Sequence, residues 1–148
     1  MLKIYLDNCC YNRPFDDLNQ RRIRNEARAV NELLSLSQKG KLIIVSSVFV
    51  DIEIERNNNQ LKRSKVLKIY RYDEFCPLTQ EIERLANIYQ GGGLKPFDSL
   101  HLASAEANQV DYLLTTDDDY IKIANHFEHN IKVVNPYNFR NEVLRNDI

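Results

Sequence analysis

No apolar run in the chain approaches the roughly 18 residues that a membrane span needs, and its first residues lack the basic-then-apolar layout of a secretion signal. A cytoplasmic protein is therefore expected. Cysteine is scarce: three residues, an odd number, with Cys9 and Cys10 adjacent. That suits a reducing compartment better than a disulfide framework, and no Cys/His spacing matches a zinc site. Gly91, Gly92 and Gly93 follow a helical pattern instead of a strand and lack the spacing of a P-loop or dinucleotide turn. Repeats, low-complexity tracts and linkers are also absent, so one domain spanning 1–148 is expected.

At 148 residues, 43% hydrophobic and 28% charged, the chain is large enough and apolar enough for a core of its own. The net charge of −1 conceals an asymmetry. Residues 1–70 hold 13 Lys/Arg against 8 Asp/Glu, whereas residues 71–148 hold 7 against 13, so the halves carry about +5 and −6. A polyanionic partner for the first half and a carboxylate-rich centre in the second are the readings this split suggests.

Residues 2–7 (LKIYLD) and 41–47 (KLIIVSS) read as strands, the second a continuous apolar run suited to a sheet covered on both faces. Between them Ile23, Ala27, Val30 and Leu34 recur at helical spacing, which gives strand, helix, strand, the unit of a parallel sheet. A helix capped by Ser46 or Ser47 runs to about Asn57, and residues 60–70 continue helically. Thr79 opens a further helix that ends at Gly91–Gly93, and Pro96 opens another to about Asn108, whose Ala103, Ser104, Ala105 and Ala107 allow close approach to the sheet. Residues 112–116 and 131–134 read as strands with a short helix between them, and a last helix runs from about Asn138 to the end. The expected architecture is a three-layer α/β/α sandwich with a mostly parallel sheet of four or five strands.

In such sheets ligands bind beyond the carboxyl ends of the strands, where strand order reverses. A strand needs no acid at its tip, yet Asp7 ends IYLD and Asp117 ends LLTTD. Glu53 falls among Phe49, Val50 and Ile54 on an apolar helix face, where a lone carboxylate is costly unless paired or metal-bound. Its neighbours Asp51 and Glu55 read as solvated surface. Asp98 sits in the first turn of a helix, favoured there by the macrodipole. Four carboxylates converging on one cleft would repel each other unless cations neutralise them, and an oxygen-only set favours Mg²⁺ or Mn²⁺. Metal-assisted phosphodiester hydrolysis is the reaction that suits such a centre.

These residues, in "LDNCCYNRPFDD", "SSVFVDIEIERN", "FDSLHLASAEA" and "LLTTDDDY", resemble the PIN-domain family over nearly the whole chain, from Ile4 to about Pro136. The resemblance implies an α/β/α nuclease whose acids Asp7, Glu53, Asp98 and Asp117 hold one or two Mg²⁺ or Mn²⁺ ions and cut single-stranded RNA, with Thr115 as a supporting hydroxyl. Asn8 stands where the family usually has Thr or Ser. Many PIN domains are toxins of VapBC-type toxin–antitoxin pairs, so an antitoxin protein and a homodimer enter as implied partners. RNA is expected along the basic side, with Arg13, Arg21, Arg24, Arg28 and Lys95 on phosphates and Tyr5 and Tyr11 stacking on bases. Cys9 and Cys10 are expected to pack, and His101 to pack with one hydrogen bond. A PIN-like module that binds RNA or protein without cutting is the alternative. A haloacid dehalogenase-type phosphatase is disfavoured, because that chemistry looks for a second Asp where Cys9 stands.

Overall fold

The four apolar runs and one further segment form five parallel strands in a computed structural model of the chain, which describes residues 1–144. These are β1 (Lys3–Leu6), β2 (Ile43–Ser47), β3 (Glu74–Cys76), β4 (Tyr112–Leu114) and β5 (Lys132–Val134), ordered β3-β2-β1-β4-β5 in one sheet. Ile4, Leu6, Ile44, Val45, Leu113 and Leu114 are fully buried, as expected of strands covered on both faces. The covering helices are α1 (Asn8–Asn12), α2 (Arg21–Gln38), α3 (Val48–Glu55), α4 (Gln60–Ile69), α5 (Gln80–Gly91), α6 (Pro96–Ala107), α7 (Asp118–Ala124) and α8 (Pro136–Phe139). The expected α/β/α sandwich is the observed fold. Among the described residues no helix is long and apolar enough to cross a membrane.

The order places β1 centrally, and the chain turns outward from it in two directions: through β2 and β3 on one side, then back past β1 to β4 and β5. The reversal point lies between β1 and β4, so the chain ends leaving these two strands diverge there. Register decides which side chains meet. Tyr5 pairs with Val45 and with Leu113, so Tyr5 and Asp7, Val45 and Ser47, and Leu113 and Thr115 share one face. All of the polar members lie at its carboxyl end.

Helix starts follow local chemistry. Ser47, Asn59, Thr79, Asp117 and Asn135 each accept a backbone N–H of the following turn, and Pro96 occupies the first turn of α6, where no donor is missed. Ala103, Ser104 and Ala105 of α6 are fully buried, whereas Ala107 is exposed.

Three features depart from the sequence reading. The stretch after Asp7, for which the sequence reading names no element, is helical: Cys10 N donates to the Asp7 carbonyl at 2.9 Å, opening α1, and residues Arg13–Phe15 add a 3₁₀ turn with Pro14 at its start. Burial of Cys10 and Tyr11 holds this turn to the sheet. The strand β3 was not anticipated, because three residues with Phe75 exposed at a sheet edge carry no alternation to read. The last helix begins at Pro136 and continues as a π-helical turn at Arg140–Leu144; the remainder of the expected helix lies outside the described residues.

The stop of α5 rests on Gly93, whose φ of +109° an L side chain rarely adopts, while Gly91 faces open space inside the helix. Gly93→Ala is expected to destabilise the fold by ~1 kcal/mol or more, and Gly91→Ala to leave it unchanged or stabilise it by ~0.5 kcal/mol. Urea unfolding of the two variants checks the contrast.

Candidate metal centre

Asp7 is the focus of the carboxyl end. Its backbone N–H is held by the Leu114 carbonyl at 3.0 Å, which ties the end of β1 to β4. Its carboxylate is almost wholly buried, and Oδ2 accepts the Thr115 hydroxyl at 2.8 Å and the Cys9 thiol at 3.4 Å. Asn8 hydrogen-bonds with Asn12 instead, so the hydroxyl next to Asp7 comes from β4 and not from the following residue. Burial raises the Asp7 pKa and the nearby Glu53 adds to it, against lowering by His101, Thr115 and Cys9.

Glu53 reaches the same point from α3. Its Oε1 is hydrogen-bonded to Nε2 of His101, a fully buried residue on α6 whose Nε2 also lies 3.6 Å from Asp7 Oδ1. One ligand atom from each of Asp7, Glu53 and His101 falls within 4.8 Å of the others, a spacing that suits a single metal ion. His101 Nδ1 lies 2.6 Å from the Tyr5 hydroxyl, which is itself 2.6 Å from Ser47 Oγ. Burial lowers the His101 pKa, but the Glu53 hydrogen bond together with the charges of Asp7, Glu53 and Asp98 raises it overall.

Asp98 and Asp117 lie outside that tight trio. Asp98, in the first turn of α6, is pushed up to about 7, first by burial and then by the charges of Asp7, Asp117 and Glu53. The Tyr120 hydroxyl donates to the Asp98 carbonyl at 2.8 Å and fixes the start of α6 against α7. Asp117 spends Oδ1 on the N-terminus of α7, accepting from Asp119 N at 3.0 Å and Tyr120 N at 3.2 Å, and its own N–H donates to Thr115 Oγ1 at 3.2 Å. Among the described residues no lysine or arginine pairs with Asp7, Glu53, Asp98 or Asp117, and His101 is the one cationic group in reach. This donor set fits a hard divalent cation: several carboxylate oxygens, buried at Asp7 and half-buried at Glu53, Asp98 and Asp117, with only His101 beside them to offset their repulsion.

The basic and aromatic expectations change. Tyr5 and Tyr11 are fully buried, Tyr11 donating to the Arg71 carbonyl at 3.0 Å, so neither can stack on a base. Arg13 turns inward, 3.0 Å from Asp16 Oδ2 and 3.0 Å from Oε1 of the buried Glu26, which removes it from the phosphate-contacting set. Arg21 and Arg28 are exposed with no carboxylate partner among the described residues, and Arg24 donates to the Leu18 carbonyl at 3.1 Å. Arg22, not anticipated, clasps Asp118 at 2.7 Å and the Thr116 carbonyl at 3.1 Å on the rim of the centre. Arg21 and Arg22 also line an open cleft of about 710 Å³ with Asn25, Lys122, Asn135 and Tyr137. Arg56 lies over the Phe97 ring at 5.2 Å, next to Asp98.

Cys10 packs as expected, and burial pushes its thiol up, which makes it a poor nucleophile. Cys9 does more, since it touches Asp7, Thr115 Oγ1 at 3.3 Å and Thr116 N at 3.3 Å. His101 makes two hydrogen bonds where one was expected; its spacing of one helical turn from Asp98 was the available signal. Asp51 is half-buried and accepts the Tyr70 hydroxyl at 2.6 Å, while Glu55 is solvated as expected.

The class the structure defines is an α/β/α sandwich with acids gathered at its switch point, and sequence comparison narrows it. The family model of the PIN domain matches residues 18–126. The chain belongs to the PIN-domain family. None of the curated proteins is similar enough in sequence to match. Among solved structures, FitAcB from Neisseria gonorrhoeae aligns with a TM-score of 0.60 at 16% identity, over 90% of this chain and 98% of that one. VapBC2 from Rickettsia felis, in a structure bound to a DNA fragment from their promoter, aligns with a TM-score of 0.59 at 17% identity, over 90% and 98%. At these identities the likeness is one of fold. The family match contains Glu53, Asp98 and Asp117 but begins after Asp7, which joins them through the β1–β4 register.

Ionising a carboxyl whose folded pKa is raised weakens the fold. In chelator, the penalty at Asp98 is absent below its ordinary value of 3.8, grows above it and is complete beyond about 7. Asp98→Asn is therefore expected to stabilise the metal-free protein at pH 8 by about 1–2 kcal/mol, allowing for its partial exposure, and to leave it unchanged at pH near 3.5. Denaturant unfolding at the two pH values checks this; equal stability at pH 8 contradicts it.

Proposed function

We propose that the protein is a divalent-metal-dependent endoribonuclease acting on single-stranded RNA. The observation that carries this reading is the set of four acids at one sheet switch point with, among the described residues, no lysine or arginine paired to them. Asp7 and Glu53 are assigned as the primary ligands, with Asp98 and Asp117 completing the oxygen set toward Mg²⁺ or Mn²⁺. When bound, such an ion supplies Lewis acidity toward a phosphodiester and a water acidic enough to attack it near neutral pH.

The chain's own residues do the rest. Thr115 fixes the Asp7 carboxylate through Oδ2. Asp117 is held by the cap it makes on α7 through Oδ1, and its second oxygen is assigned as the one available to the ion. Arg21, Arg24 and Arg28 on α2, with Arg56 and Lys95 beside the notch, are assigned to backbone phosphates and give binding its salt dependence. No side-chain nucleophile is needed, which accords with the buried thiol of Cys10.

Membership of the PIN-domain family and the fold shared with FitAcB and VapBC2 support a place in a toxin–antitoxin pair with an antitoxin protein as partner, and the proposal takes a homodimer in the cytoplasm as the working unit.

Asp7→Asn is expected to lower Mn²⁺-dependent cleavage of a single-stranded RNA by roughly 100-fold or more, a loss of about 3 kcal/mol in transition-state stabilisation, while the fold survives. Cleavage assays with and without chelator, beside calorimetric titration of Mn²⁺, check it. Full activity in the variant overturns the assignment. A wild-type protein that binds RNA without binding Mn²⁺ would instead be a PIN-fold binding module.

A further inference from the structure

The buried polar chain behind Glu53 has a direction, and that direction assigns a role to three residues outside the acid set. The chain runs from the Phe49 backbone N–H to Ser47 Oγ at 3.2 Å, from Ser47 Oγ to the Tyr5 hydroxyl at 2.6 Å, from there to His101 Nδ1 at 2.6 Å, and from Nε2 to Glu53 Oε1. Ser47, Tyr5 and His101 are all fully buried, so every hydrogen must find its acceptor within the chain.

For the neutral ring only one arrangement satisfies all of them. Ser47 accepts from Phe49 and donates to Tyr5; Tyr5 donates to an unprotonated Nδ1; and the hydrogen on the ring sits at Nε2, donating to Glu53. Placing a hydrogen on Nδ1 strands one of the two hydroxyl hydrogens without an acceptor. Confining it to Nδ1 also sets the bare Nε2 lone pair against the Glu53 carboxylate. Nε2 carries its hydrogen in the neutral form just derived and in the imidazolium alike, so the donation to Glu53 does not depend on the charge of the ring.

We propose that Tyr5 and Ser47 lock His101 in the Nε2–H tautomer, and that His101 is a positioning residue that orients Glu53 for the metal, not a metal ligand itself. The inference rests on the proposed metal centre. Glu53 projects from a short helix and is only partly buried, so without this donor its carboxylate can rotate about the side-chain bonds. A partner that holds a ligating carboxylate is of the kind whose loss weakens metal affinity by about 10- to 100-fold. The same capping bond that opens α3 at Ser47 thus also anchors the relay, coupling the helix start to the orientation of the acid it carries.

The test combines affinity with a direct reading of the ring. In Mg²⁺-saturated full-length protein, ¹⁵N spectra of the histidine side chains should show His101 hydrogenated at Nε2 alone, and Tyr5→Phe should mix the tautomers. Calorimetric Mn²⁺ affinity should fall about 10- to 100-fold in His101→Leu but stay within about 3-fold of wild type in His101→Gln, whose amide N–H₂ reaches the position of Nε2. Thermal unfolding of both variants separates misfolding from lost orientation. A neutral ring hydrogenated at Nδ1 and bare at Nε2, or His101→Leu binding Mn²⁺ as tightly as wild type, overturns this inference and leaves the metal centre standing. Wild-type protein that binds no Mn²⁺ overturns both.

Discussion

The structure depends on one buried charge. Asp7 ends the central strand with its carboxylate enclosed, and among the described residues the nearest side chains offer it a hydroxyl, a thiol and an imidazole but no lysine or arginine. An enclosed carboxylate with a single imidazole to balance it, itself shared with Glu53, is a costly arrangement for a fold to hold. Here the cost is compounded by Glu53 and Asp98, which the sheet topology and two helix starts bring to the same notch. A protein that only needed to be stable would gain by replacing these acids. Their persistence together makes sense if a divalent ion occupies the notch in the working state.

The rest of the molecule serves that notch. The parallel sheet puts strand ends side by side at the switch point, and the pairing of Tyr5 with Val45 and Leu113 sets Asp7, Ser47 and Thr115 on one face. Helix α3 brings Glu53, and α6 brings Asp98 and His101 one turn apart. The buried small residues of α6 let that helix approach the sheet closely enough for His101 to bridge β1 and α3. On the outside, Arg22 fastens α2 to the start of α7, while Arg21 and Arg28 keep their charge for solvent or for a polyanion. Fold, site and charge asymmetry therefore point to one chemistry.

Much of this was legible in the amino-acid sequence because period and punctuation coincide. Continuous apolar runs marked β1, β2 and β4, Thr79 and Pro96 marked two helix starts, and an acid at the tip of an apolar strand marked Asp7. What was illegible depends on distance in sequence. The pairing that creates β3 needs β2, which lies 29 residues earlier at the first register pair, Val45 with Glu74, and its own three residues carry no pattern. Tyr5 and Tyr11 look like stacking residues until burial is known, and Arg13 looks like a phosphate contact until Glu26 is seen beneath it. His101 was visible as a neighbour of Asp98, but its second partner, Tyr5, is 96 residues away.

The central claim is that folding gathers these carboxylates around a hard cation. Anomalous diffraction from a crystal soaked in Mn²⁺ measures this directly. The account predicts a peak in contact with Asp7 and Glu53 carboxylate oxygens, with Asp98 or Asp117 completing the shell. A well-ordered notch with no anomalous density, its acids satisfied by His101 and water alone, would contradict it.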